Sequence, residues 1–93
     1  MHLVVVYDIS DDRARLRVAD RLKCLGLVRV QRSAFVGRGG SGLARDVARA
    51  TSRLIDHGRD SVIVFIVPDR SVRHAIVLGT PWGDLRDVPV RVL

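Results

Sequence analysis

One carboxylate follows an apolar strand and precedes a helix rich in arginine. Asp8 comes directly after the apolar run at residues 3–6 and Tyr7. Four guanidinium groups occupy the helix that follows, those of Arg13, Arg15, Arg17 and Arg21. A carboxylate binds hard cations and guanidinium groups bind phosphate oxygens, so the pattern suits a metal-assisted phosphodiester site or a phosphate clamp. The alternative is that Asp8 is a turn residue that caps the amides of the next helix.

A metal site at Asp8 would need help from a second subunit. A hard divalent cation takes several oxygen ligands, and one carboxylate per chain is few. A twofold axis would supply a second copy of Asp8, and a phosphate oxygen and waters could complete the coordination of Mg²⁺ or Mn²⁺. His2, His57 and His74 lack the spacing of metal ligands. Cys24 is the only cysteine, which is typical of a reduced cytoplasmic protein.

The charge of the chain indicates a polyanionic partner. The formal net charge is +6, which is typical of proteins that bind nucleic acid. A GC-rich genome would explain arginine in place of lysine, but it would not explain the net positive balance. The candidate nucleic-acid-binding residues are Arg13, Arg15, Arg17, Arg29, Arg32 and Arg38. The alternative for the helix arginines is an ordinary solvated face. With only four aromatic residues, binding to the RNA or duplex DNA backbone is expected, with little base stacking and strong salt dependence.

Hydrophobic periodicity predicts one α+β domain over residues 1–93. The predicted strands are residues 3–9, 27–36, 61–67, 74–78 and 88–93, and the predicted helices are residues 12–25 and 43–57, with a helical turn at 69–72. We assign the chain to the ferredoxin-like layout, β-α-β-β-α-β with an extra C-terminal strand. The strands at 3–9 and 61–67 are predicted to be the central pair. The glycine-rich loop at 37–42 is predicted to be a flexible hairpin tip, with a phosphate cradle as the alternative.

The predicted strands also favour a homodimer. An antiparallel sheet covered by helices on one side normally shows water its other face. Here that face would carry Val, Ile or Phe at its centre, and an exposed apolar patch indicates a partner. We therefore expect two copies to pack sheet against sheet about a twofold axis. The alternative is that the strand boundaries are misassigned. No apolar run reaches the roughly 18 residues of a membrane span, so no membrane partner is expected.

Three segments carry a resemblance to a known family. They read VVVYDISDDRAR, VADRLKCLGLVRVQRSAFVG and DSVIVFIVP. The chain resembles the small endonuclease and adaptor family of the CRISPR spacer-acquisition machinery. The resemblance implies a ferredoxin-like homodimer in antiviral defence. It also implies a Mg²⁺-dependent nuclease acting on single-stranded RNA or duplex DNA, or a non-catalytic adaptor that bridges the CRISPR integrase and holds duplex DNA.

The resemblance also implies roles for particular residues. Asp8 would be the metal ligand and a catalytic residue, with Tyr7, Arg17 and Phe35 completing the catalytic set. Arg15, Arg29 and Ser33 fall at positions around that site, and residues 88–93 would add to the partner's sheet. The motif does not decide between nuclease and adaptor. A third class, a small-molecule regulatory domain, is disfavoured by the charge of +6.

Overall fold

Four antiparallel strands and three helices make up residues 1–86, the part of the chain that this computed structural model describes. The strands are β1 (His2–Asp8), β2 (Val28–Gln31), β3 (Ala34–Arg38) and β4 (Ser61–Val67), and the helices are α1 (Asp12–Cys24), α2 (Ser41–Ser52) and α3 (Asp69–Arg73). The strand order in the sheet is β2-β3-β1-β4. The predicted α+β, ferredoxin-like layout is confirmed.

Helix α1 begins where its sequence predicts and ends one residue before the predicted boundary. The Asp11 carboxylate accepts a hydrogen bond from the Ala14 amide at 2.9 Å, which satisfies one of the free amides of the first turn. Gly26 follows the helix with a φ of 89°, a conformation that favours glycine. Val18 and Leu22 are buried along one face, so this apolar stripe is the surface of the helix that packs on the sheet.

The main core lies between the sheet and the two long helices. Its fully buried side chains come from β1, β3 and both helices; the largest are Phe35, Leu3, Leu22, Val5, Val18 and Val47. Alternate residues of β1 point to opposite faces of the sheet. The face that carries Leu3 and Val5 is therefore the covered one, and α1 and α2 both lie against it.

The opposite face of the sheet is apolar and partly open. Val4 is in register with Phe65 and Val6 with Ile63, so these four side chains lie on one face. Ile63 is 49% exposed and Phe65 is 50% exposed. A second small cluster on this face contains Val30, Val36, Val4, Val28, Ala34 and Leu85. The predicted exposure of apolar side chains on the helix-free face is confirmed; we call this surface the open face.

The predicted second strand is wrong in one respect, because it is a hairpin of two strands. The chain turns at Arg32 and Ser33, and β2 pairs with β3. The register shifts by one residue between Arg29 and Gln31. Because of this bulge, alternate residues of β2 and β3 keep to the same two faces of the sheet as they would in one continuous strand. The apolar periodicity of the sequence therefore gave no sign that the chain reverses direction here.

The prediction of the central strands is half correct. β1 is central, but the other central strand is β3, and β4 lies at the edge of the sheet. Both faces of β4 are apolar because Val62 and Val64 pack on the helical core while Ile63 and Phe65 lie on the open face. An apolar pattern on both faces was therefore not evidence of a central position.

Three further boundaries differ from the sequence predictions. Residues 74–78 are irregular, because strand formation needs a pairing partner and these residues have none among residues 1–86. Helix α2 ends at Ser52, well before the predicted end at residue 57, because Leu54 donates to the Thr51 carbonyl in a tight turn. The predicted hairpin tip at 37–42 is instead the connection from β3 to α2, with Gly37 buried inside β3.

Two other predictions have separate outcomes. The helical turn at 69–72 is confirmed by α3. The predicted strand at residues 88–93 lies outside the described residues. Within residues 1–86, none of the helices combines the length and apolar character needed to cross a membrane.

Candidate functional site

Asp8 is a carboxylate without a partner at the end of β1. It is the last residue of the strand, it is exposed, and it is in register with Ser61 of β4. Among residues 1–86 no hydrogen bond or ion pair is made by its side chain. Because Asp8 follows Tyr7 in a strand, its side chain leaves the sheet on the open face, the same face as Val4 and Val6.

The acids around Asp8 all have partners. Asp11 caps α1 and Asp12 pairs with the Arg15 guanidinium. Asp60 accepts hydrogen bonds from the amides of Ser10 at 3.1 Å and Asp56 at 2.9 Å. These amide hydrogen bonds, with that of Asp56 the larger contributor, hold the pKa of the Asp60 carboxyl below its ordinary value. The capping role considered for Asp8 is therefore filled by other residues.

Three of the predicted site residues meet on the opposite, helix-covered face. The Arg29 guanidinium lies 5.6 Å from the Phe35 ring centroid, and its Nη2 donates to the Tyr7 hydroxyl at 3.5 Å. The Tyr7 and Phe35 ring centroids are 6.2 Å apart. Phe35 is fully buried and Tyr7 nearly so. These two rings support Arg29, and they do not share a face with Asp8.

The turn between β2 and β3 completes this cluster. The Arg32 carbonyl accepts hydrogen bonds from Arg29 Nε at 3.0 Å and from the Tyr7 hydroxyl at 3.4 Å. The Ser33 carbonyl accepts from the Tyr7 amide at 3.1 Å. The hairpin turn therefore lies at the same end of the sheet as Asp8. The side chain of Arg32 is exposed and makes no ion pair within the described part of the chain.

Of the three arginines nearest the start of α1, one is anchored and two are open. Arg15 pairs with Asp12 and donates to the Ile9 carbonyl at 3.2 Å, which ties the helix to the end of β1. Arg13 and Arg17 are exposed and have no ion-pair partner between residues 1 and 86. They remain available to an anionic ligand.

Arg38 does not belong to this end of the sheet. It is in register with His2, at the start of β1. The six residues from there to Asp8 span roughly 20 Å of strand. Arg38 lines a cavity of about 330 Å³ together with Met1, His2, Asp69, Val72, Arg73 and Arg86. If it binds nucleic acid, it contacts a phosphate well away from Asp8.

Residues 1–86 of a single chain do not build a complete metal site. Among residues 1–86 no three His, Cys or Asp side chains are grouped so that they could hold a metal ion. Asp8 is chemically suitable for Mg²⁺ or Mn²⁺, because its oxygens are hard and unpaired. The further ligands would have to come from outside residues 1–86 of this chain.

Two contacts at this end of the molecule were not apparent in the sequence. The Asp60 carboxylate reaches Ser10, which is 50 residues away along the chain. The Trp82 ring lies against Arg29, with the guanidinium carbon 4.6 Å from the ring centroid. No local pattern signals either contact, because each joins segments that are distant in sequence.

The fold and this site define a class of protein: a ferredoxin-like domain with a spare strand-end carboxylate and a basic surface. Residues 1–75 match the family described as "CRISPR associated protein Cas2". The chain is 41% identical over 87 residues to the "CRISPR-associated endoribonuclease Cas2" of Aeropyrum pernix, covering 94% of this chain and 91% of that protein. The chain therefore belongs to the CRISPR-associated Cas2 family.

Other relatives and solved structures agree with this assignment. A "CRISPR-associated endonuclease Cas1/endonuclease Cas2 fusion" from Thermoproteus tenax is 38% identical over 72 residues, which is 77% of this chain and 27% of the fusion. The crystal structure of Streptococcus pyogenes Cas2 superposes with a TM-score of 0.71 at 28% identity, covering 85% of this chain and all of that one. A hypothetical protein from Thermus thermophilus gives a TM-score of 0.75 at 35% identity, covering 86% of this chain and 92% of that one.

Proposed function

We propose that this protein is a metal-dependent endonuclease that hydrolyses phosphodiester bonds of RNA or duplex DNA in CRISPR spacer acquisition. The observation that carries the proposal is the Asp8 carboxylate, which is exposed and has no partner within residues 1–86, while the neighbouring acids Asp11, Asp12 and Asp60 all have partners. A carboxylate left free at a strand end is available to a cation. Relatives named endoribonucleases support the same chemistry.

In this proposal Asp8 and its copy in a second subunit hold Mg²⁺ or Mn²⁺. The bound ion would lower the pKa of a water ligand and polarise the scissile phosphoryl group. Arg13, Arg17 and Arg32 bind the phosphates on either side of the scissile bond. Tyr7 and Phe35 act from the opposite face by fixing Arg29, so they are positioning residues in this scheme.

The dimer that this chemistry needs is supported by the open face. Ile63 and Phe65 are half exposed there, and Asp8 leaves the sheet on the same side. Packing two open faces together would bury both apolar patches and bring two strand-end carboxylates onto facing surfaces. One association would therefore both cover the apolar open faces and place the two Asp8 carboxylates on facing surfaces.

A second candidate is a non-catalytic adaptor that holds duplex DNA for the CRISPR integrase. Two observations favour it: no metal-binding group of three side chains occurs in residues 1–86, and Arg13, Arg17, Arg32 and Arg38 make no ion pairs there. Such arginines bind the phosphate backbone without cutting it. The Thermoproteus tenax fusion, in which Cas1 and Cas2 share a chain, supports an integrase partner.

Cleavage by an Asp8→Asn variant tests the nuclease. Single-stranded RNA and duplex DNA are incubated with wild type and variant, with Mg²⁺ or with EDTA. We expect the variant to cut at least about 100-fold more slowly while binding the substrate as wild type does, because the ion supplies several kcal/mol of transition-state stabilisation.

Asp20→Asn is the matched control, since Asp20 is an exposed carboxylate on α1 without a partner among the described residues. It should cut at the wild-type rate. Undiminished cleavage by Asp8→Asn would expose a contaminating nuclease and leave the adaptor as the function.

A salt titration tests the phosphate contacts that both candidates need. Arg13→Ala or Arg17→Ala should weaken binding to all sequences alike and lower the slope of log K against log salt by about one. Arg45→Ala removes the same charge from α2 and should change the slope less. Equal effects of the three variants would mean that the arginines of α1 make no special contact.

A further inference from the structure

Trp82 is held in a fixed position at the edge of the sheet. Its amide donates to the Val30 carbonyl at 2.9 Å, which ties the chain to the outer side of edge strand β2. Gly83 lies directly against the same strand, because a Cβ at that position would stand 2.6 Å from the Arg29 carbonyl oxygen. The backbone on both sides of the indole is therefore fixed.

A guanidinium group lies behind the indole. The Arg29 carbon Cζ is 4.6 Å from the Trp82 ring centroid and 5.6 Å from that of Phe35. Arg29 is itself held by hydrogen bonds from Nε and Nη2 to the Arg32 carbonyl, at 3.0 and 2.6 Å. The three groups form a layered stack in which buried Phe35 is innermost and Trp82 is outermost.

The outer layer of this stack is open to solvent. Trp82 is 59% exposed although one side of its ring lies against Arg29, so the exposure belongs to the other side and the ring edges. A flat aromatic ring with a cation behind it attracts a further π-system, and nucleobases stack on such rings with little regard to sequence. The exposed guanidinium of Arg32 belongs to the same turn and favours a polyanion over an apolar peptide.

We propose that Trp82 is a stacking platform for one unpaired nucleobase of single-stranded RNA or DNA. The inference rests on the proposed nucleic-acid function and adds to it a preference for unpaired strands over duplex. Both faces of a base inside a duplex are covered by its neighbours, so only a single strand or a frayed end can use the indole. Trp82 lies on the outer side of β2, three strand spacings or roughly 15 Å from β1, so a strand stacked there is within reach of the end that carries Asp8.

The fluorescence of the protein tests the stack directly, because Trp82 is the only tryptophan. Wild type in EDTA is titrated with oligo(U), with oligo(dT) and with a blunt duplex, each of about 12 nucleotides per strand. We expect the single strands to quench the indole emission and the duplex to leave it nearly unchanged. Quenching by oligo(U), by oligo(dT) or by both supports the stack, and the comparison shows whether the stacked base comes from RNA, from DNA or from either.

Trp82→Leu provides the affinity test, since leucine keeps an apolar side chain and removes the aromatic ring. Anisotropy of labelled strands should show single-strand affinity reduced by about 5- to 150-fold and duplex affinity changed by less than about twofold. Leu16→Ala is the control, because Leu16 is an exposed apolar residue on α1 and should affect neither.

Two results would overturn the inference: saturating single strands that leave the wild-type emission unchanged, or a Trp82→Leu variant that weakens duplex and single strand equally. The wild-type titration needs no variant to fold. If duplex binding persists without single-strand quenching, only the stack fails. If wild type binds neither ligand, the proposed function fails together with the stack.

Discussion

Asp60 joins the loop after β1 to the loop before β4. Its two oxygens accept amides from Ser10 and Asp56, and Ser10 is two residues beyond the candidate metal ligand Asp8. Hydrogen bonds from amides favour the ionised form, which is why the pKa of this carboxyl lies below its ordinary value. The charge on Asp60 therefore stabilises the fold and steadies the segment that carries Asp8.

We expect Asp60→Asn to lower stability at neutral pH and to have a smaller effect in acid. Because the folded-state pKa is depressed, the contribution is complete above the unfolded value of about 3.9 and is lost as the pH falls through the lower folded value. Urea unfolding of wild type and variant, measured between about pH 2 and pH 7, should give curves that converge at the acid end.

Asp20→Asn serves as the comparison for this titration, because the Asp20 side chain has no partner in residues 1–86. It should leave the pH dependence unchanged. A constant difference between wild type and Asp60→Asn across the whole pH range would show that shape, and not charge, accounts for the effect.

At the scale of single residues, sequence reasoning succeeded where the signal was local. The position of Asp8 at a strand end follows from neighbouring residue types. The partner of Asp60 and the contact between Trp82 and Arg29 depend on which segments the fold brings together. The division of Tyr7 and Asp8 between two faces did follow from alternation, but the resemblance grouped them as one site.

Helix α1 presents more of the candidate phosphate ligands than any other described element. Its first turn is fixed by the Asp11 carboxylate on the Ala14 amide and by Arg15, which reaches back to the Ile9 carbonyl. The open guanidinium groups of Arg13 and Arg17 therefore start from a well-anchored turn. Loss of the cap would loosen that turn before it affected the core.

Removing the cap with Asp11→Ala should destabilise the protein by about 1 kcal/mol, the usual cost of replacing an N-cap aspartate. For a chain of this size that corresponds to a melting temperature lower by roughly 4–8 °C. Thermal unfolding followed by circular dichroism measures the change. Asp11→Ser, which retains a capping oxygen, should recover most of the loss, and failure to recover it would assign the effect to charge and not to the cap.

Elements with a strong local pattern were predicted well, and elements that depend on pairing were not. The stripe of Val18 and Leu22 defined α1 almost to the residue. The hairpin turn at Arg32 and Ser33 was missed because a bulge preserved the alternation across it. Residues 74–78 are apolar enough for a strand, but Ile76 and Leu78 are 89% and 88% exposed, because strand formation requires a neighbour that residues 1–86 do not supply.

The whole molecule combines an apolar open face with a strongly basic charge. Two copies would carry twice the net charge of +6, so their association works against Coulomb repulsion. Salt screens that repulsion, whereas it weakens phosphate binding. Dimer formation and nucleic-acid binding should therefore respond to salt in opposite directions, and a bound nucleic acid should favour the dimer by neutralising both copies.

Phe65→Asp tests whether the open face is the surface through which two copies associate. Phe65 is 50% exposed in the single chain and lies next to Val4, so a charge there should cost little folding stability and should prevent two faces from packing. We expect light scattering to show a dimer for wild type and a monomer for the variant. Leu16→Asp is the control, because Leu16 is 65% exposed on α1, on the other side of the sheet.

Phe65→Asp also tests whether cleavage requires the dimer. Phe65→Asp leaves Asp8 and the open arginines in place, so a site complete in one chain would still cut. If the ion is shared by two copies of Asp8, Mg²⁺-dependent cleavage by the monomeric variant should be slower by about 100-fold or more. The reason is that residues 1–86 of a single chain do not offer enough ligands. A monomer that cuts at the wild-type rate would contradict the shared site, and a variant that stays dimeric would place the interface elsewhere.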